Sequence, residues 1–164
     1  MEKVMTILHE TEVETSRLEL EITESAAMLN PEQSVEILGA LTAKGVRISI
    51  DDFGTGYSSL SYLKRIPAGT IKIDKSFVDG LCHGAEDTAI VHTVVALANA
   101  LEKETIAEGI ETREQFDAIR DMGCGFAQGY WISVPLGGDA LTALLAQGTQ
   151  LVTPSNNLSG RSGT

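Results

Sequence analysis

The feature that most constrains the fold is a series of short segments in which apolar and polar residues alternate. Residues 18–22, 46–51, 70–74 and 104–108 fit such strands, and a shorter strand is predicted at 125–128. Helical spacing or helix-start signals fill the intervals at residues 30–44, 61–65, 86–101 and 112–123, with further helices at 2–12 and 139–146. Strands that alternate with helices are joined by right-handed crossovers and run parallel. The sequence therefore predicts an α/β fold with a parallel sheet.

The two faces of these strands differ in polarity. One face is apolar and carries Leu20, Ile22, Ile48, Ile50, Ile71 and Ile73, whereas the other carries Glu21, Asp51, Lys72, Asp74 and Glu108. A doubly wound sheet buries both faces among helices, but a charged face near the strand ends is typical of the mouth of a β/α barrel. A complete eight-stranded barrel needs roughly 200 residues or more, and this chain has 164. The prediction is an incomplete (β/α)8 TIM-type barrel.

Acidic side chains recur at comparable places in successive strands. They are Glu21, Asp51, Asp52 and Glu108. Lys72 lies on the predicted strand between the strand that ends at the two aspartates and the strand that ends at Glu108. Mg²⁺ and Mn²⁺ prefer such oxygen ligands. Adjacent strand residues point in opposite directions, so Asp51 and Asp52 can share a metal only where the strand turns into a loop. Gly54 and Gly56 permit that turn. A single acid at a strand end is usually only solvated, but together these residues predict a two-metal hydrolytic site.

Five stretches, in order, resemble the motifs of a known family. They are residues 21–25 (EITES), 51–60 (DDFGTGYSSL), 71–78 (IKIDKSFV), 107–112 (AEGIET) and 128–130 (QGY). These stretches, within about residues 2–147, are similar to the motifs of EAL-domain phosphodiesterases. The resemblance implies hydrolysis of cyclic di-GMP to pGpG at a two-metal site loaded with Mg²⁺ or Mn²⁺.

The resemblance also implies which residues hold the metals. Glu21 and Asp51 would ligate one metal ion. Asp51 would bridge to a second ion, which Asp52 and Glu108 would also hold.

Further roles follow from the same resemblance. Lys72 would orient or help to activate the attacking water, and Gln128 would lie near the substrate and that water, so both are catalytic candidates together with Glu108. Glu24 and Glu111 would be supporting residues, with Glu24 holding the loop after the two aspartates. That loop would order the second metal and connect to dimerisation; it comprises Phe53, Gly54, Thr55, Gly56, Tyr57, Ser58 and Ser59.

This sequence departs from the family pattern in two places. No stretch matches the Glu-Ala-Leu strand or the next strand, whose glutamate and asparagine are metal ligands in the family. The expected barrel therefore lacks its first strands, and the first metal position is incomplete. At residues 133–135 the chain has Ser-Val-Pro where the family usually has Ser-Lys-Pro.

Two functions fit these observations. The first is a metal-dependent cyclic di-GMP phosphodiesterase domain, present as a fragment with little or no activity alone. The alternative is a non-catalytic truncated EAL module that acts in dimerisation, regulation or ligand binding. Whether this chain is itself an enzyme is left open by its sequence.

Composition and topology predict the surroundings of the protein. A formal net charge of −11 disfavours binding to nucleic-acid duplexes or anionic lipid, and the absence of a long apolar run or a leader predicts a cytoplasmic protein. An open barrel would expose two strand edges and an apolar interior, which predicts a homodimer. The domain is expected at residues 2–147 and a disordered tail at 148–164.

Overall fold

The fold was described from a computed structural model, which covers residues 2–56, 60–82 and 84–147. The predicted tail at 148–164 and three residues of the predicted loop, Tyr57, Ser58 and Ser59, lie outside the described residues. In chain order the elements are α1 (Glu2–Thr11), β1 (Glu19–Thr23), α2 (Glu24–Leu29), α3 (Pro31–Thr42), β2 (Arg47–Phe53), α4 (Leu60–Leu63), β3 (Thr70–Ile73), α5 (Lys75–Asp79), α6 (Ala85–Ala100), β4 (Glu104–Ala107), α7 (Arg113–Asp121), β5 (Phe126–Ala127) and α8 (Gly138–Ala146).

The strands form one sheet in the order β1-β2-β3-β4-β5, and every neighbouring pair is parallel. Each strand thus pairs with the next strand in sequence, which is the arrangement of a β/α barrel. The predicted α/β fold and the partial TIM-type barrel are confirmed. Among the described residues, β1 and β5 each have a single strand neighbour.

The core lies between the sheet and its helices. Ile48, Ile50, Ile71 and Ile73 are all buried, as the alternation predicts, and they join one core cluster with the buried valines of α6. Burial of each such side chain contributes about 2 kcal/mol. Leu20 and Ile22 of β1 are only partly buried, because β1 lies at the edge of the sheet and is covered on one side only.

The inward face of the sheet is more polar than expected. Glu19 of β1 lies 3.6 Å from Arg47 of β2, and Ser49 and Thr70 are buried on the same face. On this face, within the described strands, the apolar residues are Ile106 and Phe126, which are register partners in β4 and β5. The expectation of a largely apolar interior is therefore wrong for this part of the barrel.

Two short helices were not predicted. α2 has six residues and begins directly after β1, where the Thr23 hydroxyl accepts a hydrogen bond from the Ala26 N–H. α5 has five residues and is capped by the Asp74 carboxylate. Both helices are too short to display an apolar periodicity, although Thr and Asp are typical N-cap residues.

Candidate metal centre at the strand ends

The polypeptide turns sharply where β2 ends. A register shift between Ile50 and Phe53 interrupts the pairing with β3, and Asp52 itself has a left-handed backbone with φ of 53°. The turn predicted here is present, and Asp52 adopts the unusual conformation as well as Gly54, whose φ is 101°. The turn allows two consecutive aspartates to reach one site, which a regular strand would prevent.

Three acids converge at this point. Asp51, Asp52 and Glu108 each offer a carboxylate oxygen, and these oxygens lie within 4.8 Å of one another. Partial burial, followed by the nearby charges of Asp51 and Asp74, raises the pKa of Asp52. Burial also raises the pKa of Glu108, against the opposing effect of its hydrogen bond with Lys72. This oxygen donor set suits a hard divalent cation such as Mg²⁺ or Mn²⁺.

Lys72 lies among the acids. Its Nζ is 2.8 Å from Glu21 Oε2, 2.9 Å from Asp51 Oδ1 and 2.8 Å from Glu108 Oε1, and the residue is only 5% exposed. Burial alone would lower the pKa of Lys72, but the hydrogen bonds to the three carboxylates outweigh it and hold that pKa above its ordinary value. The side chain is therefore a fixed ammonium ion at neutral pH.

Glu21 takes a different position from the other predicted ligands. It forms an ion pair with Lys72, and its side chain is 52% exposed on the edge strand β1. The group of three acids whose oxygens converge, as found within the described residues, consists of Asp51, Asp52 and Glu108. Glu21 is connected to this group through the Lys72 ammonium.

Gln128 fixes the orientation of Glu108. Its Nε2 donates a hydrogen bond of 2.8 Å to Glu108 Oε1, the same oxygen that contacts Lys72. Gln128 directly follows β5, so the end of that strand determines where its amide lies. An anchored carboxylate needs less reorganisation to bind a cation.

Asp74 is a site residue that the sequence analysis did not assign to the centre. Its carboxylate accepts hydrogen bonds from the N–H and the hydroxyl of Ser76, and it is hydrogen-bonded to Asp52. The Ser76 contacts lower the pKa of Asp74, whereas the pKa of Asp52 is raised. The pKa values of these two neighbouring carboxyl groups are therefore shifted in opposite directions. Asp74 lies two residues after Lys72 on the charged face predicted for this strand, and that position alone indicates that Asp74 lies near the acidic centre.

Glu24 joins α2 to the loop after β2. It is 1% exposed, and its Oε2 accepts a 2.8 Å hydrogen bond from the Gly54 N–H. A Cβ atom added to Gly56 would lie 3.2 Å from the Glu24 Oε1. The described part of the loop thus wraps closely around one buried carboxylate.

Glu111 lies outside the acidic centre. Its Oε1 is 2.6 Å from Lys75 Nζ, which also contacts Asp79 at 3.1 Å. Its backbone N–H donates to Gln115 Oε1, the oxygen that also accepts from the Thr112 N–H in the N-terminal capping box of α7. Glu111 and Gln128 line a cleft of about 470 Å³ together with Lys75, Gly109, Gly129, Tyr130, Ser133, Val134 and Pro135. The cleft therefore begins beside the acidic centre, at Gln128.

The fold and the site define a class of protein: a β/α barrel with an acidic centre at the carboxyl ends of its strands. The chain belongs to the EAL domain family, whose family model matches residues 1–135. No helix in the described ranges has the length and apolar character that a membrane crossing requires.

Curated relatives include characterised signalling enzymes of Pseudomonas aeruginosa. The chain is 48% identical over 134 residues to the bifunctional diguanylate cyclase/cyclic di-GMP phosphodiesterase MucR, covering 82% of this chain and 20% of MucR. It is 44% identical over 128 residues to the cyclic di-GMP phosphodiesterase NbdA, covering 78% of this chain and 16% of NbdA. The chain therefore spans about a fifth or less of the length of these relatives.

Solved structures of EAL domains have the same fold. The PaMucR phosphodiesterase in complex with c-di-GMP matches with a TM-score of 0.83 and 46% identity, covering 85% of this chain and 57% of that one. The EAL domain of Mycobacterium smegmatis DcpA matches with a TM-score of 0.82 and 42% identity, covering 90% of this chain and 66% of the DcpA chain. Klebsiella pneumoniae BlrP1, solved with c-di-GMP and manganese or calcium, matches with a TM-score of 0.74 and 32% identity. The match covers 80% of this chain and 34% of the BlrP1 chain.

Proposed function

We propose that the chain is part of a metal-dependent phosphodiesterase domain that hydrolyses cyclic di-GMP to pGpG. The observation that carries the proposal is the convergence of Asp51, Asp52 and Glu108 at the strand ends. MucR and NbdA, which are cyclic di-GMP phosphodiesterases, support the same reaction, and the PaMucR complex supports the same ligand.

Asp51, Asp52 and Glu108 would hold one divalent cation, with Glu21 and Asp51 proposed for a second, incomplete position. Bound Mg²⁺ or Mn²⁺ would screen the phosphate charge from this acidic site and lower the pKa of a bound water. BlrP1 complexes that contain manganese or calcium support a divalent cation in this family.

The surrounding residues would position the reacting groups. Lys72 would orient the attacking water or the phosphate as a charged donor, since its raised pKa makes it a poor base at neutral pH. Gln128 would hold Glu108 through their 2.8 Å hydrogen bond. Glu24 would hold the loop that follows Asp52, and Glu111 would support the cleft through Lys75.

We further propose that this chain alone has little or no activity, because a two-metal site is sensitive to the number and geometry of its ligands. The alternative is a truncated module that binds or regulates without turnover. The partial barrel and the 57% coverage of the PaMucR chain favour low activity.

The test combines calorimetric titration of cyclic di-GMP, with and without Mn²⁺, and chromatography for pGpG. Metal-dependent binding with slow pGpG formation that is lost in Asp51→Asn would support the phosphodiesterase. Binding with no product after prolonged incubation would support the non-catalytic module. A chain that binds neither Mn²⁺ nor cyclic di-GMP would contradict both proposals.

A homodimer is also proposed, on the basis of α8 and of β1 and β5, each of which has a single strand neighbour among the described residues. This helix buries none of its residues, and Leu141 and Leu145 are exposed. A second copy would cover apolar surface of this kind and pair the edges in a closed twofold arrangement.

A further inference from the structure

We propose that Lys72 is a built-in counter-ion that competes with the divalent cation for the carboxylates of the acidic centre. This inference rests on the proposed metal-dependent function. It adds that the Lys72 ammonium and the cation exclude each other at Asp51 and Glu108, so that metal loading must displace the lysine from these two acids.

The Lys72 ammonium lies against two of the three candidate metal ligands. Lys72 Nζ is 2.9 Å from Asp51 Oδ1 and 2.8 Å from Glu108 Oε1. Both residues belong to the three-acid group. An ammonium this close to a carboxylate oxygen repels a cation that coordinates the same carboxylate. The lysine therefore stands in direct competition for two of the three candidate ligands.

The positive charge of Lys72 compensates the negative charge of the neighbouring carboxylates. Within the described ranges, Lys72 is the cation that forms ion pairs with the acids of the centre, namely Glu21, Asp51 and Glu108. Its nearly complete burial leaves little water to screen it from a second positive ion. A dication bound by the same oxygens would repel this ammonium strongly, whereas without the dication the ammonium compensates the acids.

Lys72 has a further ion-pair partner outside the three-acid group. Glu21 contacts Lys72 at 2.8 Å, lies outside the converging group and is half exposed on β1. While the incomplete position proposed for Glu21 is empty, Lys72 can give up Asp51 and Glu108 and keep Glu21, because its side chain is long and flexible. On this arrangement, metal loading frees the ammonium to act on the substrate.

Calorimetric titration of the full chain with Mn²⁺ tests the competition. Lys72→Met removes the charge and keeps a long side chain, and it should bind Mn²⁺ about tenfold more tightly than the unmodified chain, a partial release of the ammonium–cation repulsion. The matched control is Arg120→Met, because Arg120 also pairs with two acids, Asp117 and Asp121, away from the three-acid group. The control should leave Mn²⁺ affinity unchanged.

A measurement on the unmodified chain covers the case in which Lys72→Met does not fold. In the ¹⁵N-labelled protein, the buried Lys72 ammonium should give a slowly exchanging Nζ signal in the absence of metal. Saturating Mg²⁺ should shift that signal or speed its exchange, while the other lysine signals stay in place. An unmoved Lys72 signal would overturn the proposal.

The outcomes separate this inference from the proposed function. If Lys72→Met binds Mn²⁺ as tightly as, or less tightly than, the unmodified chain, Lys72 does not compete and only this inference fails. If neither protein binds Mn²⁺, the metal-dependent function fails together with the inference. Tighter Mn²⁺ binding in Lys72→Met but not in Arg120→Met supports both.

Discussion

Asp51 and Asp52 are neighbours in sequence, yet they have different partners. The Asp51 carboxylate is paired with Lys72 at 2.9 Å, whereas Asp52 is hydrogen-bonded to Asp74 and has a raised pKa. Asp51 is therefore held by a cation, while burial and the neighbouring acids raise the pKa of Asp52. At the residue scale, Asp51 is the acid on which both the ion pair and the proposed cation depend.

The Asp51→Asn substitution should lower Mn²⁺ affinity at least about tenfold, because it removes one charge from the three-acid group. Calorimetry on the purified chain measures the change. Asp79→Asn is the control, since Asp79 also bonds a lysine but lies outside the group. Equal Mn²⁺ affinity in Asp51→Asn and the unmodified chain would show that Asp51 is not a ligand.

At the scale of elements, the loop after β2 depends on contacts from two helices. The Glu24 side chain at the start of α2 holds the Gly54 N–H. A Cβ atom added to Gly54 would lie 2.8 Å from the Phe77 ring of α5. The two short helices that the sequence pattern did not reveal are thus the elements that shape the loop.

Replacing Glu24 with Ala should lower the free energy of unfolding by about 2–3 kcal/mol, because it leaves the Gly54 N–H without its acceptor and creates a cavity. Glu24→Gln keeps an acceptor oxygen and should cost less than half as much. Urea unfolding measures both. Equal midpoints for Glu24→Ala and the unmodified chain would mean that this buried contact contributes nothing to stability.

Two glycine substitutions should have opposite effects. Gly54→Ala should destabilise the chain by about 2 kcal/mol, because its φ of 101° disfavours a side chain and the new methyl would meet Phe77. Gly39→Ala, in α3 with open space around the added atom, should stabilise it by about 0.5–1 kcal/mol. Thermal melts of both variants give the comparison; a stabilising Gly54→Ala would contradict the strained turn.

At the scale of the whole molecule, the partial barrel leaves β1 as an edge strand. The polar inward face reduces the apolar area that a partner must cover, because Glu19 and Arg47 pair there and Ser49 and Thr70 lie beside them. The proposed association is then based on β1 and β5, each with one strand neighbour in the part of the chain that the structure describes, and on α8, whose Leu141 and Leu145 are exposed.

In the proposed dimer, Leu20→Lys should both dissociate and destabilise the chain, because it places a charge among partly buried residues of the edge strand. Light scattering at micromolar concentration and a thermal melt measure the two effects. Ile37→Lys is the control, since Ile37 is an exposed apolar residue on α3. An unmodified chain that is a monomer with a cooperative melt would contradict the dimer.

The sequence by itself determined the alternation of strands and helices, the parallel sheet and the set of acids at the strand ends. These properties are local or additive: a period of two fixes the faces of a strand, and successive crossovers bring the strand ends to one edge. The same reasoning suggested the turn after Asp51, although it attributed the turn to Gly54 and Gly56 and did not foresee the left-handed Asp52.

Only the tertiary structure decided which acids meet. Lys72 contacts Glu21, Asp51 and Glu108 and not its near neighbour Asp74, which bonds Ser76 and Asp52 instead. Partners of this kind depend on the register of four strands, β1 to β4, on one backbone turn and on side-chain rotamers. Sequence spacing does not encode these quantities, because register partners are 28 positions apart between β1 and β2 and 34 apart between β3 and β4.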